Sequence, residues 1–189
     1  KKIGDCRALV EKWAREEQVI YGVNTSCGGF VNYLLPREKD REFQQNLIRS
    51  VTTNVGSYLP DQIVRITMIT RVNSLCRGYS GIKPENLSIY LEMINKGVLP
   101  LIPEQGSLGS SGDLGPLGCI ACVAIGDWKA RFQGEVMAGA EAMKAAGIPL
   151  MKLNAKEGLS MINGTSCMAG LASENVFDAM LTIKQADAI

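Results

Sequence analysis

Residues 106–118 read GSLGSSGDLGPLG, and this stretch determines how the rest of the chain is organised. Five of these thirteen residues are glycine, which is too many for a helix or strand interior, so we predict an irregular segment. Apolar residues return at helical intervals beyond Pro116, at Leu117, Ile120, Ala121, Ala124, Ile125 and Trp128. The pattern predicts a glycine-rich loop that leads directly into the N-terminus of a buried helix, where backbone amides favour negative charge.

Helical patterns lie on both sides of this loop. Apolar residues recur at helical spacing over 7–19, 37–51, 61–77, 84–95, 138–146, 155–162 and 168–189. A second glycine-rich segment, YGVNTSCGGF at 21–30, interrupts the pattern and must turn tightly. Only 133–137 resembles a short strand. We therefore predict a mainly α-helical protein with glycine-rich loops on one side.

Composition and charge exclude several classes of function. The chain has 20 Lys and Arg against 19 Asp and Glu, and no basic stripe with interleaved aromatic residues, so we expect no nucleic-acid partner. No apolar run approaches the roughly 20 residues that span a bilayer, and no signal peptide is visible, so we expect a cytoplasmic protein without membrane contact. Histidine is absent, which removes the usual general base and the commonest metal ligand.

The six cysteines lie mostly among apolar or small residues and are expected to pack as small hydrophobic side chains without structural disulfides. Cys119 and Cys122 form a C-x-x-C pair, but no second pair accompanies it, so we expect no metal site and no redox function. A phosphate site at the glycine-rich loop is also disfavoured, because the loop lacks the Lys-Ser/Thr of a P-loop and follows no convincing strand.

Several motifs together resemble one enzyme family. GSLGSSGDLGPL is similar to the prosthetic-group loop of the histidine, phenylalanine and tyrosine ammonia-lyases and the related aminomutases. The segments YGVNTSCGGF, NLIRSVTTNVG, NSLCRGYSGI and KEGLSMINGTS follow in that family's order. The chain most resembles the bacterial phenylalanine and tyrosine 2,3-aminomutases. The resemblance implies the N-terminal portion of the ammonia-lyase helical fold, with residues 1–189 holding the prosthetic loop and the start of the central helical bundle of a longer chain.

The resemblance implies that Ser110, Ser111 and Gly112 cyclise into 4-methylideneimidazole-5-one, in place of the family's Ala-Ser-Gly or Thr-Ser-Gly. Gly112 carries the nitrogen that must reach back to the Ser110 carbonyl carbon, and the absence of a Cβ permits so sharp a bend. Ser111 then loses its hydroxyl as water and leaves an electrophilic methylidene. The side chain of Ser110 is only a ring substituent, so serine is expected to be tolerated there.

Further site residues follow from the same resemblance. Tyr21 is expected to remove the substrate's β-proton, and Gly28 in the same mobile loop is expected to contact the substrate. Asn163 is expected to hold the prosthetic ring or the substrate's amino and carboxylate groups, although an Asn before Gly is also an ordinary helix terminator. Leu108 is expected to form an apolar wall of the pocket.

Val51 occupies a position where many histidine- or tyrosine-handling lyases place a histidine, so the apolar side chain favours an unsubstituted phenyl ring. The similar tyrosine aminomutases also lack that histidine, so a tyrosine substrate stays open. Asp113 is expected to cap the helix that begins near Pro116. The cationic Arg65, Arg71 and Arg77 are expected to be solvated or to bridge helices; contact of one of them with the substrate carboxylate is an alternative, and no pattern selects which one.

The expected function is 2,3-aminomutase activity on α-phenylalanine or tyrosine through an aryl acrylate, in a homotetramer whose subunits share each active site. One alternative is an ammonia-lyase that releases the aryl acrylate and ammonia. Another, of a different class, is a non-catalytic helical fragment or module in which Ser110–Gly112 stays unmodified.

Overall fold

The computed structural model describes the backbone of residues 1–189 and every side chain except that of Arg37. Helices form most of the described chain, as predicted. The α-helices are Lys2–Arg15 (α1), Asp40–Val51 (α2), Asp61–Leu75 (α3), Pro84–Lys96 (α4), Leu114–Ile125 (α5), Gly139–Ala145 (α6), Glu157–Ile162 (α7) and Ser166–Asp187 (α8). Single 3-10 turns lie at Gly28–Phe30 and Arg37–Lys39.

Five short strands form two small antiparallel sheets. They are Val55–Tyr58 (β1), Leu99–Pro100 (β2), Pro103–Gln105 (β3), Lys129–Phe132 (β4) and Glu135–Ala138 (β5). One sheet pairs β1 with β3, and the other has the order β2-β4-β5. Gln133 and Gly134 both have positive φ at the tip of the β4–β5 hairpin, which matches the right-handed twist of its strands.

The buried centre of the protein is α5, in which every residue from Gly115 to Ile125 is buried. Small residues on this helix permit close approach by its neighbours. A Cβ added to Gly118 would lie 2.8 Å from Thr52 Oγ1 and 3.0 Å from Val51 Cγ2, so the end of α2 packs directly against the α5 backbone. The hydrophobic core therefore holds the helix that follows the glycine-rich loop in one position.

Three expectations about element boundaries were wrong. The predicted helix at 7–19 begins at Lys2 and ends at Arg15, and Glu17 beyond it has a positive φ that no α-helix accommodates. The irregular glycine segment ends at Asp113, because Leu114 to Gly118 already form the first turn of α5. Pro116 fits there, since amides in a first turn need no helical partner. The strand predicted at 133–137 is β5 at Glu135–Ala138, because Gln133 and Gly134 form the hairpin tip, and the other four strands were not predicted.

Strands β1 and β3 bring two segments of the candidate site together. Val55 pairs with Gln105, so the residues just before β1 lie opposite the residues just after β3. The first of these segments, residues 51–54, contains the end of α2, and the second begins the glycine-rich loop at Gly106. A short sheet therefore joins the two chain segments that form the pocket described below.

Candidate functional site

The residues from Gly109 to Gly112 form a tight reverse turn at the tip of the glycine-rich loop. The Gly112 N–H donates to the Gly109 carbonyl oxygen at 3.3 Å, which places Ser110 and Ser111 at the two central positions. Gly109 and Gly112 have φ values of +76° and +90°, which side chains with a Cβ rarely adopt. The turn folds the Gly112 nitrogen back toward the Gly109 carbonyl.

A second turn, Asn163–Gly164 between α7 and α8, packs against the first. A Cβ added to Gly112 would lie 2.6 Å from the Gly164 carbonyl oxygen and 2.9 Å from the Gly164 nitrogen. The Gly164 carbonyl accepts a hydrogen bond from the Asp113 N–H at 2.7 Å, and Asn163 Nδ2 donates to the Ser111 carbonyl oxygen. The fold thus brings Asn163 next to Ser110–Gly112.

A cavity of about 200 Å³ opens beside the Ser110–Gly112 turn. Its lining residues are Val51, Thr53, Gly106, Leu108, Ser110, Ser111, Gly112, Leu114 and Gly115. Val51 forms part of the inner wall at the end of α2, and Leu108, which is 96% exposed, forms the outer wall. Thr53 is a lining residue that the sequence analysis missed, although it lies in the quoted NLIRSVTTNVG segment.

A larger cavity of about 530 Å³ lies elsewhere, between residues of α4 and the segment that precedes α7. Lys83, Asn86, Leu150 and Lys152 are among its lining residues, and none of the predicted site residues is. Its size does not make it the better candidate, because none of its lining residues has a positive φ and it therefore lacks a sharp backbone turn like that at Gly109–Gly112.

Asn54 holds the two ends of the glycine-rich loop at a fixed spacing. Its Nδ2 donates to the Pro103 carbonyl oxygen at 3.1 Å. A Cβ on Gly106 would lie 2.5 Å from Asn54 Cγ, and one on Gly115 would overlap Asn54 Oδ1. The glycines at 106 and 115 are therefore required by the buried Asn54 side chain between them, and the sequence analysis did not single out this residue.

Tyr21 and Gly28 lie on a separate loop and do not line the cavity. The Tyr21 hydroxyl oxygen accepts a hydrogen bond from the Gly28 N–H at 3.2 Å, and the ring is 53% exposed. Burial raises the pKa of the Cys27 thiol, which a hydrogen bond with Tyr21 partly offsets. A Cβ on Gly22 would lie 2.5 Å from Leu159 Cδ2, so the loop is anchored on α7, the helix that leads to Asn163.

The expected role of Asp113 was wrong. Asp113 stands at the N-cap position of α5, but its side chain makes no capping bond there. Asp113 Oδ2 instead accepts from the Met168 N–H at 2.8 Å in the first turn of α8, and Oδ1 accepts from the Ser107 hydroxyl at 3.4 Å. The carboxylate therefore satisfies the N-terminus of a different helix, where its charge is favourable, and connects the loop to α8.

Both ends of α7 are held by buried charged side chains. At the first turn, Glu157 Oε1 accepts from the Lys83 N–H at 2.9 Å and from Asn86 Nδ2 at 2.8 Å. At the end of α7, Arg71 Nη2 donates to the Ser160 carbonyl oxygen. Arg71 is only 3% exposed, and burial lowers the pKa of its guanidinium. Arg71 thus bridges α3 and α7, whereas Arg65 and Arg77 are exposed.

The cysteine side chains are all free thiols. Cys119 and Cys122 are buried in α5, and burial raises the pKa of Cys119 to about 12. Within the described side chains, no cluster of three or more His, Cys, Asp or Glu residues is placed to bind a metal ion. No described helix is long and apolar enough to cross a membrane.

Comparisons with known proteins show the family of the chain. The family model described as aromatic amino acid lyase matches residues 1–189. The histidine ammonia-lyase of Caldanaerobacter subterraneus subsp. tengcongensis is 44% identical over 100% of this chain and 37% of its own length. The chain spans little more than a third of the curated relatives that it matches.

Solved structures share the fold. Pantoea agglomerans phenylalanine aminomutase matches with a TM-score of 0.89 and 50% identity, over 96% of this chain and 36% of that one. Tyrosine aminomutase from Streptomyces globisporus matches with a TM-score of 0.92 and 36% identity, over 98% of this chain and 35% of that one. These matches confirm the predicted helical fold class and the resemblance read from the motifs. The chain belongs to the aromatic amino acid lyase family.

Proposed function

We propose that the protein containing this chain is an aromatic amino acid 2,3-aminomutase whose electrophile, 4-methylideneimidazole-5-one, forms from Ser110, Ser111 and Gly112. One observation carries the proposal: the Ser110–Gly112 turn is packed at its glycine against Gly164, while Asn163 donates to the Ser111 carbonyl. A Cβ at 112 would fill the space that Gly164 occupies, so the residues present fit a backbone that must bend this sharply.

Ring closure needs no external reagent. The Gly112 nitrogen forms a bond to the Ser110 carbonyl carbon, and the carbonyl oxygen leaves as water with the protons of the Gly112 and Ser111 amides. The Ser111 Cα proton and side-chain hydroxyl then leave as a second water, which creates the exocyclic double bond. The tight turn already restricts the backbone from Gly109 to Gly112, which lowers the entropic cost of closing a ring within it.

Once formed, this group supplies an electrophilic carbon for the amine of the substrate. Asn163 is placed to stabilise negative charge that develops on the Ser111 oxygen, because its amide already donates to that atom. Tyr21 is the proposed base for the substrate's β-proton, and the N–H of Gly28 stabilises negative charge on the phenol oxygen. Tyr21 does not line the cavity, so the loop at 21–30 must bring its hydroxyl to the substrate bound beside Ser110–Gly112.

The apolar walls formed by Val51 and Leu108 favour a substrate with an unsubstituted phenyl ring. The 50% identity to a phenylalanine aminomutase supports the same choice. The main alternative is an ammonia-lyase that releases the aryl acrylate, and it is favoured by the histidine ammonia-lyases among the curated relatives. The non-catalytic alternative differs from both, because it predicts an unmodified Ser110–Gly112.

We further propose that residues 1–189 are the N-terminal part of a longer cytoplasmic chain that assembles as a homotetramer with shared active sites. The proposed partners are small aromatic amino acids. The supporting observations are the match to just over a third of each relative and the exposure of the site, where Leu108 is 96% exposed.

The test is the intact mass of the full-length protein, followed by incubation with α-phenylalanine. We expect the peptide containing Ser110–Gly112 to lack two water molecules and the product to be β-phenylalanine. Accumulation of an aryl acrylate with ammonia would favour the ammonia-lyase instead. An unmodified mass with no turnover would reject both enzymes and leave the helical module. The variant Ser111→Ala should be inactive but folded, and an active variant would refute the assigned electrophile.

A further inference from the structure

A buried cation is connected to the Ser110–Gly112 turn by two successive backbone contacts. In the first contact, a Cβ added to Gly164 would overlap Arg71 Nη1, and the three nearest atoms all belong to Arg71. In the second, Gly164 itself fills the space beside Gly112, where an added Cβ would lie 2.6 Å from the Gly164 oxygen. The Gly164 backbone therefore lies between two groups and contacts both, the Arg71 guanidinium on one side and the Gly112 backbone on the other.

The surroundings of Arg71 are unusual for a buried charge. No ion pair of Arg71 occurs among the described side chains, and its Nε lacks a hydrogen-bond partner there, as does the buried Tyr90 hydroxyl. Burying a charge without a counter-charge is costly. The compensating contact within the described chain is the Ser160 carbonyl at the C-terminal end of α7, where a helix favours positive charge.

We propose that Arg71 is a positioning residue for closure of the prosthetic ring, an inference that rests on the proposed function. By binding the end of α7, Arg71 terminates the helix at Asn163 and fixes the Gly164 backbone behind it. Gly164 then holds Gly112 in its sharp bend, and Asn163 reaches the Ser111 oxygen. Arg71 itself needs no contact with Ser110, Ser111 or the substrate.

The inference is tested in the full-length protein with Arg71→Gln and Arg71→Lys, using Arg77→Gln, just beyond the end of α3, as the exposed control. Intact mass gives the fraction of chains that have lost two waters at set times after cell-free synthesis, and circular dichroism selects variants that fold. We expect Arg71→Gln to slow dehydration by about tenfold to 100-fold, because small displacements of reacting groups have effects of this size. Arg71→Lys should recover part of the rate, and Arg77→Gln should match the wild type.

The variant Gly164→Ala tests the same contact without removing a buried charge, so it remains informative if Arg71→Gln does not fold. Its Cβ meets Arg71, and the backbone at Gly164 is not in the left-handed region, so we expect slow dehydration in a folded protein. In the double variant, the shorter glutamine leaves room for the methyl group, and the two effects should be less than additive.

Wild-type rates of dehydration in folded Arg71→Gln or Gly164→Ala would overturn the inference while leaving the proposed function intact. Strictly additive effects in the double variant would also overturn it, because they would mean that Arg71 does not act through Gly164. A wild-type protein that never loses water would instead refute the proposed function, and this inference with it.

Discussion

Gly109 and Gly112 are both needed for a positive φ, but only one of them is also in close contact with another part of the chain. Gly112 combines a positive φ with a contact to Gly164 that leaves no room for a Cβ. Gly109 has a similar φ of +76°, but no atom lies within 4 Å of an added Cβ. A methyl group at the two positions therefore imposes comparable backbone strain, and only at 112 does it also displace the second turn.

We predict that Gly112→Ala abolishes the loss of two waters and that Gly109→Ala, the matched control, retains it. Each variant should lose about 1–3 kcal/mol of unfolding free energy from the strained backbone. Intact mass and urea titration of the full-length variants measure the two effects. A dehydrated Gly112→Ala protein would show that the contact with Gly164 does not constrain ring closure.

Substrate choice also belongs to the residue scale, because Val51 is the apolar side chain on the inner wall of the cavity. We predict that Val51→His lowers kcat/KM for α-phenylalanine by about tenfold, since a phenyl ring cannot hydrogen-bond the imidazole placed beside it. Activity toward histidine or tyrosine should rise relative to phenylalanine. An unchanged ratio across the three amino acids would show that this wall does not contact the ring.

At the scale of elements, the loop is held by helices that are distant in sequence. Asp113 accepts from the third residue of α8, Asn54 separates the two ends of the glycine segment, and α7 presents Asn163 and Gly164. Each of these contacts joins a short irregular segment to a rigid element. The loop can therefore keep a strained turn without regular secondary structure of its own.

The cap from Asp113 to α8 gives a prediction about stability. Asp113→Ala removes the acceptor for the Met168 N–H and should lower the unfolding free energy by about 1 kcal/mol or more, as for other lost helix caps. Asp113→Asn keeps an acceptor oxygen and should lose less. Urea unfolding of the full-length variants measures the difference. Equal losses in both would indicate that the charge, and not the hydrogen bond, is the stabilising feature.

Burial of α5 also predicts how its thiols react. Burial raises the pKa of Cys119 to about 12 and that of Cys167, in α8, to about 11, against about 8.5 for a free thiol. A raised pKa favours the protonated thiol, so few thiolates form at these two buried positions at pH 8 to 9, whereas Cys76 is exposed to the reagent. Iodoacetamide labelling followed by peptide mass should modify Cys76 first. Labelling of Cys119 at the same rate in the folded protein would contradict the prediction.

At the scale of the whole molecule, α8 presents an apolar face to solvent in the 189-residue chain. Its exposed side chains include Val176, Phe177, Met180 and Ile183. Such a surface is typical of a helix that packs against further structure. If the chain is part of the longer homotetrameric protein proposed above, we expect its further residues and neighbouring subunits to cover this face.

We therefore predict that residues 1–189 expressed alone self-associate and bind a hydrophobic fluorescent dye, whereas the full-length protein does not. Phe177→Lys with Ile183→Lys should reduce both dye binding and self-association of the short chain. Dye fluorescence and light scattering measure these properties. If residues 1–189 are monomeric and bind no dye, the exposed apolar face of α8 does not require packing against further structure.

The sequence by itself determined the helical class, the order of the helices and most of the candidate residues. Helical periodicity is local, and the spacing of Ser110–Gly112 and the INGTS segment is a property of the chain alone. Tertiary structure decided which residues hold that loop. Arg71, Asn54 and Asp113 act on segments tens of residues away, and their roles depend on packing distances that no local pattern contains. Asp113 is the clearest case: its position predicted a cap for its own helix, but burial directs the carboxylate to another.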